Sequence, residues 1–343
     1  MKKVVLCFAI LVAMCLQYAV AADFESKDLK LYNNNAGISL GATVTMPPAG
    51  VSPKGALVLA TGSGAQNRDE EVMGHRPFKV IAEFLSSHGY AVIRLDDRGV
   101  GESQGDASQC TADDYIGDLG VALNVLDSIV ESDVPKGVLG HSEGGTVAVR
   151  MAVRNPECRF IVTMGCPAWP GDSLVMSQAR AMAVAMTGRW DGEARQRRLM
   201  DIVKSDMPDA LVASSLYMEL ASQTGGGYDI PQVRDHIAQV AQTMSAPSYR
   251  SIIKYDPADD IRLVTVPWLA LNGEKDMQVL PGNLDTIKEL NAGADARIVP
   301  GHNHLMQQCG SGMPQEYQSI AEDISDDVLQ VILSWLDSVC GGR

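Results

Sequence analysis

The stretch Val138-Leu139-Gly140-His141-Ser142-Glu143-Gly144-Gly145 constrains this chain more than any other, because it joins an apolar run to a helical pattern through a turn too tight for ordinary side chains. In a G-x-S-x-G turn the serine is strained, and the neighbouring backbone passes so close that glycine is needed on both sides, here Gly140 and Gly144. The helical pattern that follows, Thr146 to Ala152, stops at Asn155-Pro156. A strand–turn–helix unit of this kind lifts the Ser142 hydroxyl clear of a sheet and aims the helix's free N–H groups and positive dipole end at it. An oxyanion forming there is stabilised. A glycine-rich turn carrying an incidental serine is the alternative, and a correctly ordered acid and histidine further along would exclude it.

The flanking segments set the fold class. Ala56-Leu57-Val58-Leu59-Ala60, Tyr90-Ala91-Val92-Ile93-Arg94-Leu95, Arg159-Phe160-Ile161-Val162-Thr163-Met164-Gly165 and Val266-Pro267-Trp268-Leu269-Ala270-Leu271-Asn272 are apolar on both faces, as buried parallel strands are. Between them lie helical patterns, Pro77 to Ser87 stopped by Gly89, and a long one capped by Thr111 with Asp113 and Asp114 in its first turn. A last helix begins after Ser325-Asp326-Asp327, and Ala296-Arg297-Ile298-Val299 is a short strand. This rhythm predicts an α/β fold with a mainly parallel central sheet, helices on both faces and right-handed crossovers. Ile38 to Met46, ending at Pro47-Pro48, reads as an opening edge strand or hairpin.

From Trp169 to Tyr255 the rhythm breaks into helical sequence rich in methionine, including Met176, Met182, Met186, Met200, Met207, Met218 and Met244. Residues 169–255 are read as a helical cap inserted into a core made of 22–168 and 256–343. Packing within the cap is the main use expected of the thioethers, although they would also suit an adaptable acyl pocket. Gly225-Gly226-Gly227 marks a loop and a candidate hinge.

A formal charge of −14 argues against nucleic acid or anionic membrane as partner, since both require a basic face. Residues 1–21 have a basic start, a short apolar run from Val4 to Met14 and the small residues Ala19-Val20-Ala21, which is the pattern of a secretory signal peptide. The run is too short to span a bilayer, so an exported, periplasmic or secreted protein is expected, without stable membrane insertion once the signal is removed. A lipoprotein anchored at Cys15 is disfavoured by the bulk of Met14. Cys110, Cys158, Cys166, Cys309 and Cys340 remain, an odd number whose pairing spacing does not reveal; buried free thiols are expected.

A serine nucleophile needs a base, and the base needs a carboxylate to hold its tautomer. Asp276, in Gly273-Glu274-Lys275-Asp276, follows a strand, and His304 follows the next one, giving the order Ser, Asp, His after strand ends. Asp259 and Asp260 compete with Asp276 but precede their strand. His302 competes with His304, and the residues alone do not separate them; a His-x-His zinc half-site lacks a third ligand at suitable spacing. The second oxyanion donor must come from Thr61-Gly62-Ser63-Gly64, with the N–H of Ser63 (or Gly64) joining that of Glu143, each contributing ~3 kcal/mol to the transition state. Arg68 is expected to pair with Asp69, Glu70 or Asp97 rather than with substrate, Asp97-Arg98-Gly99 to brace the elbow, and Glu143 to disfavour anionic substrates mildly. Serine rather than aspartate at the elbow points to acyl transfer.

With these residues in place, the chain resembles the α/β-hydrolase superfamily, and more narrowly secreted bacterial serine esterases related to the serine aminopeptidase, monoacylglycerol lipase and cinnamoyl esterase group. The resemblance rests on Gly62 to Glu70, Asp96 to Ser103, Gly140 to Gly145, Gly273 to Val279 and Asn303 to Gln307, with Ala65 where many relatives have proline. It implies His304, within Asn-His-Leu, as the base, short-chain acyl esters as substrates and no cofactor. Peptidase or amidase activity, carbohydrate-ester deacylation and a non-catalytic binding role are the alternatives.

Overall fold

The computed structural model describes residues 23–341, so the expected signal peptide and Cys15 lie outside it. Eight strands form one sheet: β1 (Glu25–Asn33), β2 (Ile38–Met46), β3 (Gly55–Ala60), β4 (Tyr90–Leu95), β5 (Lys136–His141), β6 (Phe160–Met164), β7 (Trp268–Gly273) and β8 (Asp295–Val299). Their spatial order is β1-β2-β4-β3-β5-β6-β7-β8. β3 to β8 pair in parallel, whereas β2 runs against both of its neighbours. β3 to β7 are buried along their whole length, which is why their sequences are apolar on both faces.

Residue parity decides which face each strand side chain packs on. Ala56, Val58, Val138, Ile161 and Ala270 pack with Leu119, Leu123 and Leu126 of α2 (Ala112–Leu126), Val147 and Met151 of α3 (Glu143–Arg154) and Leu284 of α10 (Gly282–Leu290). Leu57, Leu59, Leu139, Val162 and Leu271 face Phe78, Ile81 and Leu85 of α1 (Pro77–Ser87) and Val328, Ile332 and Leu336 of α11 (Asp326–Cys340). The apolar groups on the two faces come from opposite sides of the same pleated strands.

Local chemistry explains the helix starts. At α2 the Thr111 side chain and the Asp114 carboxylate satisfy each other's exposed N–H groups in a capping box. Between β6 and β7 the chain forms α4 (Gly171–Thr187), α5 (Glu193–Lys204), α6 (Asp209–Ser222), α7 (Pro231–Ser245), α8 (Pro247–Lys254) and α9 (Ala258–Leu263). Leu199, Met200, Val203, Val212, Leu216, Ala241, Met244 and Ile253 form a separate core for this segment.

Of the two readings of Ile38–Met46 the hairpin holds, since it pairs antiparallel with Glu25–Asn33, but the edge belongs to Glu25–Asn33, whose charged outer positions Glu25, Lys27, Asp28 and Lys30 hide it from apolar patterning. Two further expectations are corrected. Arg68 pairs with Asp96, at 2.6 Å, and with Glu102 and Asp28, because Asp69 is taken by Arg94. Arg98 does not brace the elbow: its guanidinium holds Asp114 and Asp118 of α2. Cys110, Cys158, Cys166 and Cys309 are free thiols.

Candidate active site

Ser142 sits between β5 and α3 with φ 54° and ψ −122°, the strain expected of the elbow. The two glycines are required by space. A Cβ on Gly140 would lie 2.0 Å from the Gly144 carbonyl oxygen, and one on Gly144 would lie 2.0 Å from that of Ala60. The helix therefore starts hard against β3, with Glu143 as its first residue and its unpaired N–H groups beside Ser142.

Asp276 follows β7 and is 1% exposed. Its Oδ1 accepts the Gln278 and Val279 N–H groups, both at 2.8 Å, which fixes the carboxylate and leaves Oδ2 for His304 Nδ1 at 2.7 Å. His304 follows β8. Gly165, at φ +57°, lets the chain wrap this pair: a Cβ there would come within 2.9 Å of His304 Nδ1. With Nδ1 donating to the carboxylate, Nε2 is the ring's basic nitrogen. Ser142 and His304 both line a cavity of about 710 Å³.

The competing residues are placed elsewhere. His302 contacts the Pro300 carbonyl and Asp327, Asp259 pairs with Arg262, and Asp260 accepts from the Tyr255 hydroxyl. None of them reaches the Asp276–His304 pair.

The loop after β3 is tied down on two sides. Asp97 accepts the Thr61 hydroxyl and the Gln66 N–H, both at 2.9 Å, while Glu70 accepts the Gly62 N–H at 2.6 Å. Ser63 and Glu143 line the cavity, and neither of their N–H groups donates to a protein acceptor among the described residues. Gly64, at φ +100°, is not among the residues that line the cavity. Burial pushes the Glu143 carboxyl up to about 7, against the opposing Ser63 hydroxyl, so its negative charge is weaker than its residue type suggests. Burial also raises Asp97 to about 7, partly offset by its hydrogen bonds from Gln66 and Thr61, with Glu143 and Glu70 adding to the shift.

Opposite the elbow the cavity is walled by Trp169, Leu174, Val175, Tyr249, Ile252 and Tyr255. The methionines of this segment do not line it: Met200 and Met244 are packed inside, and Met186 and Met218 are exposed. Two buried residues escaped the sequence analysis as parts of the site. Glu70 and His141 are hydrogen bonded at 2.9 Å, and the other ring nitrogen of His141 contacts the His304 carbonyl oxygen at 2.9 Å. Both stand inside recognised motifs, but a bond between positions so far apart leaves no signal in spacing.

A mainly parallel eight-stranded sheet, with a strained serine after one strand and a carboxylate–histidine pair after two later ones, defines an α/β-hydrolase. The profile of the family described as serine aminopeptidase, S33 (Hydrolase_4) matches residues 75–248, which include Ser142. The chain belongs to this family of the α/β-hydrolase superfamily. It is 24% identical to esterase EstD of Thermotoga maritima over 326 residues, 93% of this chain and 69% of that protein. A mitochondrial palmitoyl-protein thioesterase, ABHD10 of Mus musculus, is 32% identical over 124 residues, only 34% of this chain and 39% of that one. Among solved structures, the Pyrococcus furiosus esterase Pf2001 shares the fold with a TM-score of 0.56 at 17% identity, covering 92% of both chains.

Proposed function

We propose that this hydrolase is a serine carboxylesterase acting on short-chain acyl esters through an acyl-enzyme. The Ser142 hydroxyl attacks the ester carbonyl carbon while His304 Nε2 takes its proton, and Asp276 stabilises the resulting imidazolium. The N–H groups of Ser63 and Glu143 receive the negative oxygen of the tetrahedral intermediate. Collapse breaks the bond to the alcohol, which leaves with the proton from His304. Water then attacks the acyl-enzyme, giving its proton to His304, and release of the carboxylic acid restores the serine.

The observation that carries this reading is that the Asp276–His304 hydrogen bond and strained Ser142 open onto one cavity beside two uncommitted N–H donors. The names of the EstD and Pf2001 relatives support esters as the substrate class. Residues 169–255 are proposed as a cap whose apolar wall holds the acyl and alcohol groups, and residues 1–21 as an export signal. The test is a p-nitrophenyl ester panel of increasing chain length on the native protein and on Ser142→Ala. The variant is expected to lose about 10⁴-fold or more in kcat, because the triad acts as a unit. Near-native turnover by the variant would falsify the mechanism. The family's aminopeptidase description favours amide hydrolysis as a second reading, and aminoacyl p-nitroanilides assayed in parallel decide between the two.

A further inference from the structure

Glu70 and His141 are 1% and 4% exposed, and the proposed reaction uses neither side chain. Glu70 holds a left-handed backbone conformation, φ 52°, uncommon for a residue other than glycine and kept in place by its N–H bond to the Asn67 carbonyl at 2.8 Å. That conformation turns its carboxylate inward. Oε1 accepts the Gly62 N–H at 2.6 Å and meets His141 Nδ1 at 2.9 Å, whereas Oε2 has no hydrogen-bond partner among the described residues. The contacts that orient this buried group therefore run through one oxygen.

The His304 carbonyl oxygen can only accept, so His141 Nε2 carries a hydrogen. Nδ1 faces Glu70 Oε1, which as a carboxylate oxygen accepts from Gly62 and keeps a lone pair for an Nδ1 hydrogen. An imidazolium at His141 completes this arrangement. Burial by itself would lower its pKa, but the Glu70 carboxylate outweighs this, and the His304 carbonyl and Asp276 add to the upward shift. Glu70, Asp276 and the His304 ring, with centroids 4.6 Å apart, are the titratable groups facing it.

The contacts form a chain across the carboxyl ends of three strands: from the Gly62 N–H after β3, through Glu70, to His141 at the end of β5, to the His304 carbonyl after β8. One end sits next to the Ser63 donor and the other is the backbone of the base. We propose that Glu70 and His141 form a second carboxylate–imidazolium pair, a positioning device that registers the oxyanion loop against the catalytic histidine. Glu70 also neutralises a fixed positive charge beside His304, which must itself become positive during turnover. The inference rests on the serine–histidine reading above.

The test compares the native protein with Glu70→Gln, His141→Gln and the double variant, measuring kcat and KM separately on p-nitrophenyl acetate and Tm for each. Glu70→Gln is isosteric and still accepts from Gly62, but it removes the charge. It is expected to lower kcat about 10- to 100-fold, the cost of a misplaced catalytic group, with KM changed less than about threefold. Because the two residues act as one unit, the double variant should lose less than about threefold more. Imidazole ¹H–¹⁵N spectra of Ser142→Ala, which removes the nucleophile, should show His141 doubly protonated at pH 7, and Glu70→Gln should abolish that signature. A folded Glu70→Gln protein with native kcat, or a neutral His141 at pH 7, overturns the proposal. Should Glu70→Gln fail to fold, the spectrum of Ser142→Ala alone still decides. Turnover surviving Ser142→Ala overturns the nucleophile assignment, and the imidazole spectrum then tests the pair independently.

Discussion

Replacing Gly144 by alanine adds one methyl group at the point where α3 meets β3. In the native backbone that Cβ would lie 2.0 Å from the Ala60 carbonyl oxygen, 2.5 Å from its carbon and 2.6 Å from the Thr61 oxygen, where real Cβ contacts stay beyond 3.0 Å. The neighbours are backbone, so no side chain can swing aside, and the helix start and the strand end must part by about 1 Å. Overpacking of this kind costs about 3 kcal/mol. The same displacement moves Glu143, first residue of the helix, relative to Ser63 on the loop that continues β3. A 1 Å error in the placement of catalytic groups costs about 10²-fold in rate.

Gly120→Ala is the matched control. Gly120 lies in α2, and its new methyl would meet only Met151 Cε, at 3.8 Å. Alanine there should raise stability by about 0.5–1 kcal/mol through helix propensity. Urea unfolding gives the two stability changes, and p-nitrophenyl acetate hydrolysis with fluorophosphonate labelling gives the activities. Gly144→Ala with native stability and native kcat/KM would refute the claim that close approach, rather than loop flexibility, requires glycine at this position.

Two further outcomes are expected. Asp276→Asn keeps the Oδ1 acceptor used by Gln278 and Val279 but presents NH₂ to His304 Nδ1, forcing the wrong tautomer; kcat should fall about 10³- to 10⁴-fold while the protein stays folded, and a smaller loss than tenfold in steady-state assays contradicts the role given to Asp276. Glu143 bears on the pH dependence of stability. Its carboxyl is raised by burial from 4.5 to about 7, so in that interval the folded chain keeps a proton that the unfolded chain has released. Stability contributed by this group is present below its unfolded value and is lost as pH rises through its folded value, an amount on the order of 3 kcal/mol. Glu143→Gln should narrow the Tm difference between pH 5 and pH 8, gaining on the native protein at pH 8 and not at pH 4. A difference left untouched by the substitution rules out burial of this carboxyl as its source.

What the linear chain determined is what local chemistry controls. Strands with both faces apolar, helix caps such as Thr111, and the glycines around Ser142 each follow from the demands of a few consecutive residues, so the α/β class and the elbow were legible. The charged edge strand Glu25–Asn33 was not, because half-solvated polar strands carry little pattern. Tertiary structure alone decided partners among equivalents. His302 and His304 are two residues apart and identical in type, yet only one meets Asp276, since each is aimed by the loop that follows β8. Arg68 had several nearby carboxylates and took Asp96, which β4 carries to its side. The contact chain from Gly62 to His304 through Glu70 and His141 exists only where three strand ends converge. Side-chain type limits which bonds can form; which ones do form depends on distances that the sheet's strand order creates.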